Sequence, residues 1–274
     1  MKKLLGCAAL CLMLVSLAAR GTVASIDNSD LWGNPNESGW GLQLVQRADV
    51  IFATLFVYDT GHAPIWYSAT LQPSGPNPDF TVPATWTGDL IQANGPWFGT
   101  VPFNPASVQR TTVGTMTFNP LSDHDGTLTY SVNGVVVNKT ITRTTLKNDD
   151  YNGDYSGVIF YASTGCPNPK DLGVHWNSIE FEISQDVGTM TMLSQEAGGA
   201  PVCTSSGNYT QYGQFGSSRQ VTSSCTDGSR AGDVTLFYEM NATFTGAMMN
   251  FTMPSSNPDS KGCTLNGSIY GIRR

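Results

Sequence analysis

Thr127-Leu128-Thr129-Tyr130-Ser131-Val132-Asn133-Gly134-Val135-Val136-Val137-Asn138-Lys139-Thr140-Ile141 reads as two alternating strands around an Asn-Gly pair. Asn-Gly tolerates positive φ at both central positions, as a type I′ turn requires, and the twist of that turn matches the strands it joins. Pairing across the turn places Leu128, Tyr130, Val132, Val135, Val137 and Ile141 on one face, expected to be buried. Lys139 falls on the same face. It is either a rim residue that snorkels its ammonium into water or part of a cavity lining.

The same period of two extends outward from this hairpin. Residues 39–46, 50–58, 65–71 and 111–118 read as strands, and in 80–91 Phe80, Val82, Ala84, Trp86 and Leu90 alternate with polar neighbours. Pro83 gives that strand a bulge or an edge position, because proline cannot donate to a ladder. Residues 93–107 hold too many prolines for a regular element and form a long ordered loop. After the polar stretch Lys147–Gly153, strands are expected near 154–162, 177–184, 187–193, 203–212, 219–226, 232–240, 242–252 and 263–272. No useful length carries a helical period. The chain is therefore expected to be all-β, with two tandem antiparallel up-and-down β-barrel-like domains over 26–147 and 148–274. Closure would remove the exposed sheet edges, and a β-sandwich is the alternative.

Residues 1–25 have the layout of a signal peptide: Lys2 and Lys3, an apolar run from Leu4 to Ala19, then small residues. Leu4-Leu5-Gly6-Cys7 is not read as a lipidation box, because the apolar core follows the cysteine instead of preceding it. Without the signal, eleven basic residues face twenty-one acidic ones, a formal charge of −10. That balance argues against nucleic acid and anionic membranes as partners. No later segment approaches the roughly 18 apolar residues of a membrane span. A periplasmic or secreted monomer is expected. The cysteines left after residue 25 all lie in the second half. Cys203 and Cys225 are equidistant from a turn near Gln214, so they are expected to pair across a hairpin. Cys166 then pairs with Cys263, joining the first and last strands of that half. The absence of any CxxC spacing and the scattered histidines leave no metal or cofactor site to expect.

Asn34-Pro35-Asn36-Glu37-Ser38-Gly39-Trp40-Gly41 specifies a turn and then a strand, with Trp40 read as an interior plug and Glu37 at the rim. This segment, with Ile51-Phe52-Ala53-Thr54, Trp66-Tyr67-Ser68-Ala69, Gly95-Pro96-Trp97-Phe98-Gly99 and Leu128 to Gly134, resembles a recurrent exported β domain of proteobacteria over residues 31–147. That family has no settled activity, so the resemblance implies a bacterial extracytoplasmic domain and supplies no catalytic residues. The second half resembles Cys-containing secreted β domains. A looser likeness is to lipocalin and avidin barrels, which open on Gly-x-Trp. Gly153-Asp154-Tyr155 has that spacing with tyrosine in place of tryptophan.

No nucleophilic triad is legible: His62 and His124 sit in apparent turns, and no serine lies in a Gly-x-Ser-x-Gly elbow. Carboxylate hydrolysis would need Glu37, Asp59 or Asp89 to converge. Asn148–Gly153 imitates part of a calcium loop, but Ile159 stands where the final glutamate belongs, and a polar linker explains it. Aromatic rings are what flat ligands stack on, and Trp66 and Trp97, beside loops, are the tryptophans expected to be exposed. The expected protein is non-catalytic, with a small-molecule or glycan site at a barrel mouth formed by Trp66, Tyr67, Trp97, Trp40, Glu37 and Lys139. The alternatives are a protein-interaction module for an envelope protein or a secreted enzyme inhibitor, and then a carboxylate hydrolase.

Overall fold

The structure, a computed structural model, describes residues 27–74, 84–196, 198–199, 201–228, 233–243, 246–254 and 262–274. Segment 1–25, read from the sequence as a signal peptide, and the Phe80–Pro83 stretch lie outside the described residues. The first eight strands are β1 (Asp30–Gly33), β2 (Gly41–Arg47), β3 (Val50–Tyr58), β4 (Pro64–Ser74), β5 (Thr85–Asn94), β6 (Gln109–Pro120), β7 (Asp125–Val132) and β8 (Val135–Arg143). Each pairs antiparallel with the next, and β1 pairs with β8 to close a barrel. The second barrel comprises β9 (Gly153–Thr164), β10 (Gly173–Asp186), β11 (Thr189–Glu196), β12 (Val202–Tyr212), β13 (Phe215–Cys225), β14 (Asp233–Thr243), β15 (Gly246–Pro254) and β16 (Thr264–Arg273). It closes through β16 and β9. Closure at both seams rules out the sandwich.

Period 2 becomes inside and outside. In β3, Ile51, Ala53 and Leu55 are buried while Phe52 and Phe56 are exposed. The first interior is packed by Trp32, Trp86, Phe118, Leu42, Leu90 and Met116, none more than 1 % exposed. Burying one such side chain contributes about 1.5–3 kcal/mol. The second interior carries Phe181, Phe251, Met190, Met192, Met240 and Met249, so methionine fills an irregular space there. Both disulfides form in this barrel, Cys203 with Cys225 and Cys166 with Cys263. Among the described residues, no helix is long and apolar enough to cross a membrane.

The hairpin around Asn133-Gly134 forms as expected, with Asn133 at φ 49° and Gly134 at φ 86°. Val135 corrects that expectation, being 65 % exposed. It is the first residue of β8, beside the turn and beyond the packed interior. The four-residue β1 was not expected from the sequence. It supplies Trp32, and Trp32 is the plug that Trp40 was expected to be.

Strand alternation sends the connections 34–40, 59–63, 95–108 and 133–134 to one end of the first barrel. The other end is shut. Trp32 lies opposite Arg143 in the closing ladder, and the Arg143 guanidinium stands 4.6 Å from the Trp32 ring. The turn between β12 and β13 docks from below: Phe215 packs on the guanidinium at 4.7 Å, and the Gln214 N–H donates to Asp30 Oδ2 at 2.8 Å. Gln214 Nε2 donates to the Ser29 carbonyl, and Thr145 Oγ1 donates to the Gln211 carbonyl. Tyr212 stacks on His124, with centroids 4.0 Å apart. The second barrel thus caps the closed end of the first.

Candidate functional site

The end of the first barrel that carries the connections 34–40, 59–63, 95–108 and 133–134, its mouth, combines polar and aromatic side chains that face inward. Lys139 holds its place because β8 alternates: Ile141 and Arg143 point in, and Lys139, two residues earlier, points the same way nearer the mouth. Its Nζ lies 2.5 Å from Glu37 Oε2. Glu37 comes from the turn 34–40, where its N–H donates to the Asn34 carbonyl at 2.9 Å and Asn34 Oδ1 accepts from the Asn36 N–H. Gly39, at φ 109°, takes the chain from that turn toward β2, a conformation that favours glycine. Trp40 follows it. Its Nε1–H donates to the same Glu37 oxygen at 3.1 Å, and the Lys139 ammonium stands 5.5 Å from its ring.

Around this trio the lining is apolar and aromatic. Trp40, Val57, Ile65, Tyr130 and Val132 are partly buried and pack on the core below them. Tyr67 is buried, at 7 % exposure. Burial raises the Tyr130 hydroxyl above its ordinary pKa, with Lys139 opposing and Tyr67 and Glu37 adding to the rise. Burial, and after it the charge of Asp59, raises Tyr67. Four of the six expected site residues, Glu37, Trp40, Tyr67 and Lys139, therefore share this mouth.

Glu37 is held below its ordinary pKa. The Lys139 hydrogen bond lowers it most and burial opposes, while the Trp40 hydrogen bond and the Lys139 charge lower it further.

Trp66 and Trp97 stand apart from that group. Trp66, 52 % exposed, points away from the interior and lies opposite Phe56 on the outer wall of β3 and β4. Phe56 in turn covers Gly41, where any Cβ would overlap its ring. Trp97 is 69 % exposed on the 95–108 connection, and Phe98, Val101 and Phe103 are exposed beside it. That loop is ordered by its own contacts: the Thr100 N–H donates to the Trp97 carbonyl, and Asn104 caps a short turn at Pro105–Ser107. It contributes an apolar rim.

Of the carboxylates named for hydrolysis, Asp59 is held within its own loop and Asp89 stands on the outer face of β5. Asp59 Oδ1 accepts from the Gly61 and Ala63 N–H groups within its loop. Asp89 pairs with Thr115 on the outward face of β5. Among the described residues, no three of His, Cys, Asp and Glu group as a metal site would need. His124, expected on the surface, is buried at 6 % exposure because Tyr212 covers it. Its Nδ1 lies 2.5 Å from Asp123 Oδ1 and its Nε2 3.2 Å from Asp125 Oδ2. No local sequence signal marks that burial, since the covering residue belongs to the other barrel.

The inward position of Tyr130, on one face with Lys139, follows from the hairpin pattern, but its place beside the ion pair was not expected. It had been read only as a buried hairpin residue. No protein-family model, curated protein or solved structure matches this chain, so the chemistry of the mouth stands on its own residues.

Proposed function

We propose that the protein is an exported, non-catalytic binding protein that holds a small molecule at the open mouth of its first barrel. One observation carries this reading. Trp32, Arg143 and the second barrel close one end, while the inward face at the other end changes from sealed aliphatics to half-buried Trp40 and Tyr130 around the Glu37–Lys139 pair. An eight-stranded barrel is just wide enough to hold one small ligand, and ligand sites are mostly apolar with a few placed polar groups. The exposed Trp97 and Phe98 beside the mouth offer flat surfaces on which a sugar or another ring can stack. Export is supported by the signal-like segment 1–25 and by the two disulfides, which persist in oxidising compartments.

The test is a titration of residues 26–274 with a panel of apolar small molecules and oligosaccharides, monitored by tryptophan fluorescence. A saturable change that is weakened in Tyr130→Ala and retained in Trp176→Phe supports the mouth. Saturable binding that Tyr130→Ala leaves intact would place the ligand elsewhere. A second reading rests on the outer wall, where Phe52, Phe56, Tyr58 and Trp66 expose a patch on β3 and β4 suited to a protein partner.

A further inference from the structure

The mouth distinguishes its two charges by how they are held. Lys139 stands in the β7–β8 ladder opposite Leu128, four residues before Arg143, where β1 joins β8, and alternation fixes it inward. Glu37 belongs to a turn outside the ladder, and Gly39 follows it at positive φ. The cation is built into the wall and the anion is carried on a loop. If the loop swings outward, the ammonium loses its carboxylate partner. The Lys139 and Glu37 side chains are 28 % and 40 % exposed, so water offsets part of that loss and the exchange is a modest one.

The donors converge as well. Lys139 Nζ and Trp40 Nε1 both point at one oxygen, Glu37 Oε2, at 2.5 and 3.1 Å. Two donors on one oxygen make a seat for an oxyanion, and hydrogen bonds to a charged acceptor are the stronger kind. Around the seat, at the mouth ends of their strands, lie Val57, Ile65 and Val132 with the rings of Tyr67 and Tyr130, a surface that pairs with carbon and not with a second charge.

We infer that the mouth is an organic-anion site in which a ligand carboxylate replaces that of Glu37 on Lys139 and Trp40, with the ligand's apolar body among Val57, Ile65, Tyr67, Tyr130 and Val132. This deepens the reading of the mouth as a ligand site and rests on it. Glu37 is then an internal competitor. It neutralises Lys139 in the empty protein, and it lowers apparent affinity by the fraction of molecules in which it occupies the seat. The ligand class is a monocarboxylic acid with an aliphatic or aromatic body. Polyanions are disfavoured, because one fixed cation and one indole N–H answer a single carboxylate.

The experiment uses uncharged Nile red as reporter at pH 8 and compares displacement by dodecanoate, dodecanol and dodecylammonium below their aggregation thresholds. The expected result is displacement by dodecanoate at concentrations about tenfold lower than by the other two, the worth of a charge-assisted hydrogen bond. Lys139→Met should remove that preference while dodecanol still competes. Glu37→Gln should strengthen dodecanoate several-fold by removing the competitor. Trp40→Phe, which keeps a ring and loses the N–H, should weaken dodecanoate only a few-fold and gives a milder variant if Lys139→Met is poorly folded.

Equal potency of the three amphiphiles, with displacement abolished by Tyr130→Ala, would overturn the anion seat and leave the mouth standing. Tighter binding of dodecylammonium would overturn it in favour of a cation that displaces Lys139. Dodecanoate affinity unchanged in Glu37→Gln would also count against the inference. If Nile red does not bind, or binds unaffected by Tyr130→Ala, the reading of the mouth fails and takes the seat with it.

Discussion

Trp32 and Arg143 lie opposite one another in the ladder that closes the first barrel, with the guanidinium 4.6 Å from the indole ring. Tyr155 and Arg273 occupy the equivalent positions in the second. In each barrel, an aromatic from the first strand fills the closed end and an arginine from the last strand covers it. Arg143 Nε donates to the Asp123 carbonyl and Nη1 to Asp30 Oδ2, while Arg273 donates from Nε and Nη2 to the Tyr155 hydroxyl. One device thus joins first strand to last and shuts one end twice in the same chain.

Removing this latch should cost stability before it affects the mouth. Trp32→Ala empties a fully buried site and is expected to cost about 3–5 kcal/mol. Arg143→Met strips the partner from Asp30, and loss of one member of a buried pair costs about 3–5 kcal/mol. Urea unfolding of the two variants measures this. A loss under about 1 kcal/mol in either would show that the closed end does not depend on the stack.

Asp123 gives the stability a pH dependence. Burial pushes its carboxyl upward, but the hydrogen bond and charge of His124, with the charge of Arg219, outweigh burial and leave its pKa below the ordinary value. A carboxyl depressed on folding stabilises the native state above its unfolded pKa, and that stability is lost as pH falls through the folded pKa. At pH 7 Asp123→Asn should therefore be less stable than the parent, and the two should converge as the pH drops below about 4. Urea midpoints from pH 7 to pH 3 report the gap, and a constant gap would contradict the assignment.

The two disulfides should differ in worth. Cys166–Cys263 closes a separation of 97 residues and Cys203–Cys225 one of 22. Loop-closure entropy assigns them about 4.7 and about 3.4 kcal/mol. The Cys166→Ser/Cys263→Ser protein should accordingly unfold at lower denaturant than the Cys203→Ser/Cys225→Ser protein. The reverse order would mean that structure in the unfolded chain dominates.

Gly39→Val tests the turn that carries Glu37. A β-branched residue at φ 109° is strained, so a cost of about 1–3 kcal/mol is expected. Because the turn lies outside the ladder, the barrel should still form. Circular dichroism should show a folded chain with a lower Tm, and unaltered stability would contradict the strain.

Much of the architecture was written locally. Period 2 gave nearly every strand, Asn133-Gly134 gave its hairpin, and the hairpin around Gln214 gave the Cys203–Cys225 pair. What escaped was set by partners distant in sequence. β1 is too short to show alternation, and the role of Trp32 emerges only against Arg143. His124 looked like a turn residue because Tyr212, which buries it, belongs to the other barrel. Trp40 was rightly singled out and wrongly placed. The turn and strand read from its neighbours do not tell which end of the barrel it would occupy. Lys139 was legible as a misfit on an apolar face, and only the fold brings Glu37 to it.

The central claim is that ligands enter at Trp40, and the indole N–H resonances test it most directly. In a nitrogen–proton correlation spectrum of the labelled protein, titration with dodecanoate should shift the Trp40 indole signal saturably, because its hydrogen bond to Glu37 is exchanged. Trp32 and Trp86, sealed at no more than 1 % exposure, and Trp176, on the second barrel, should not move. A saturable shift at Trp176 or Trp66 with Trp40 unmoved would contradict the account.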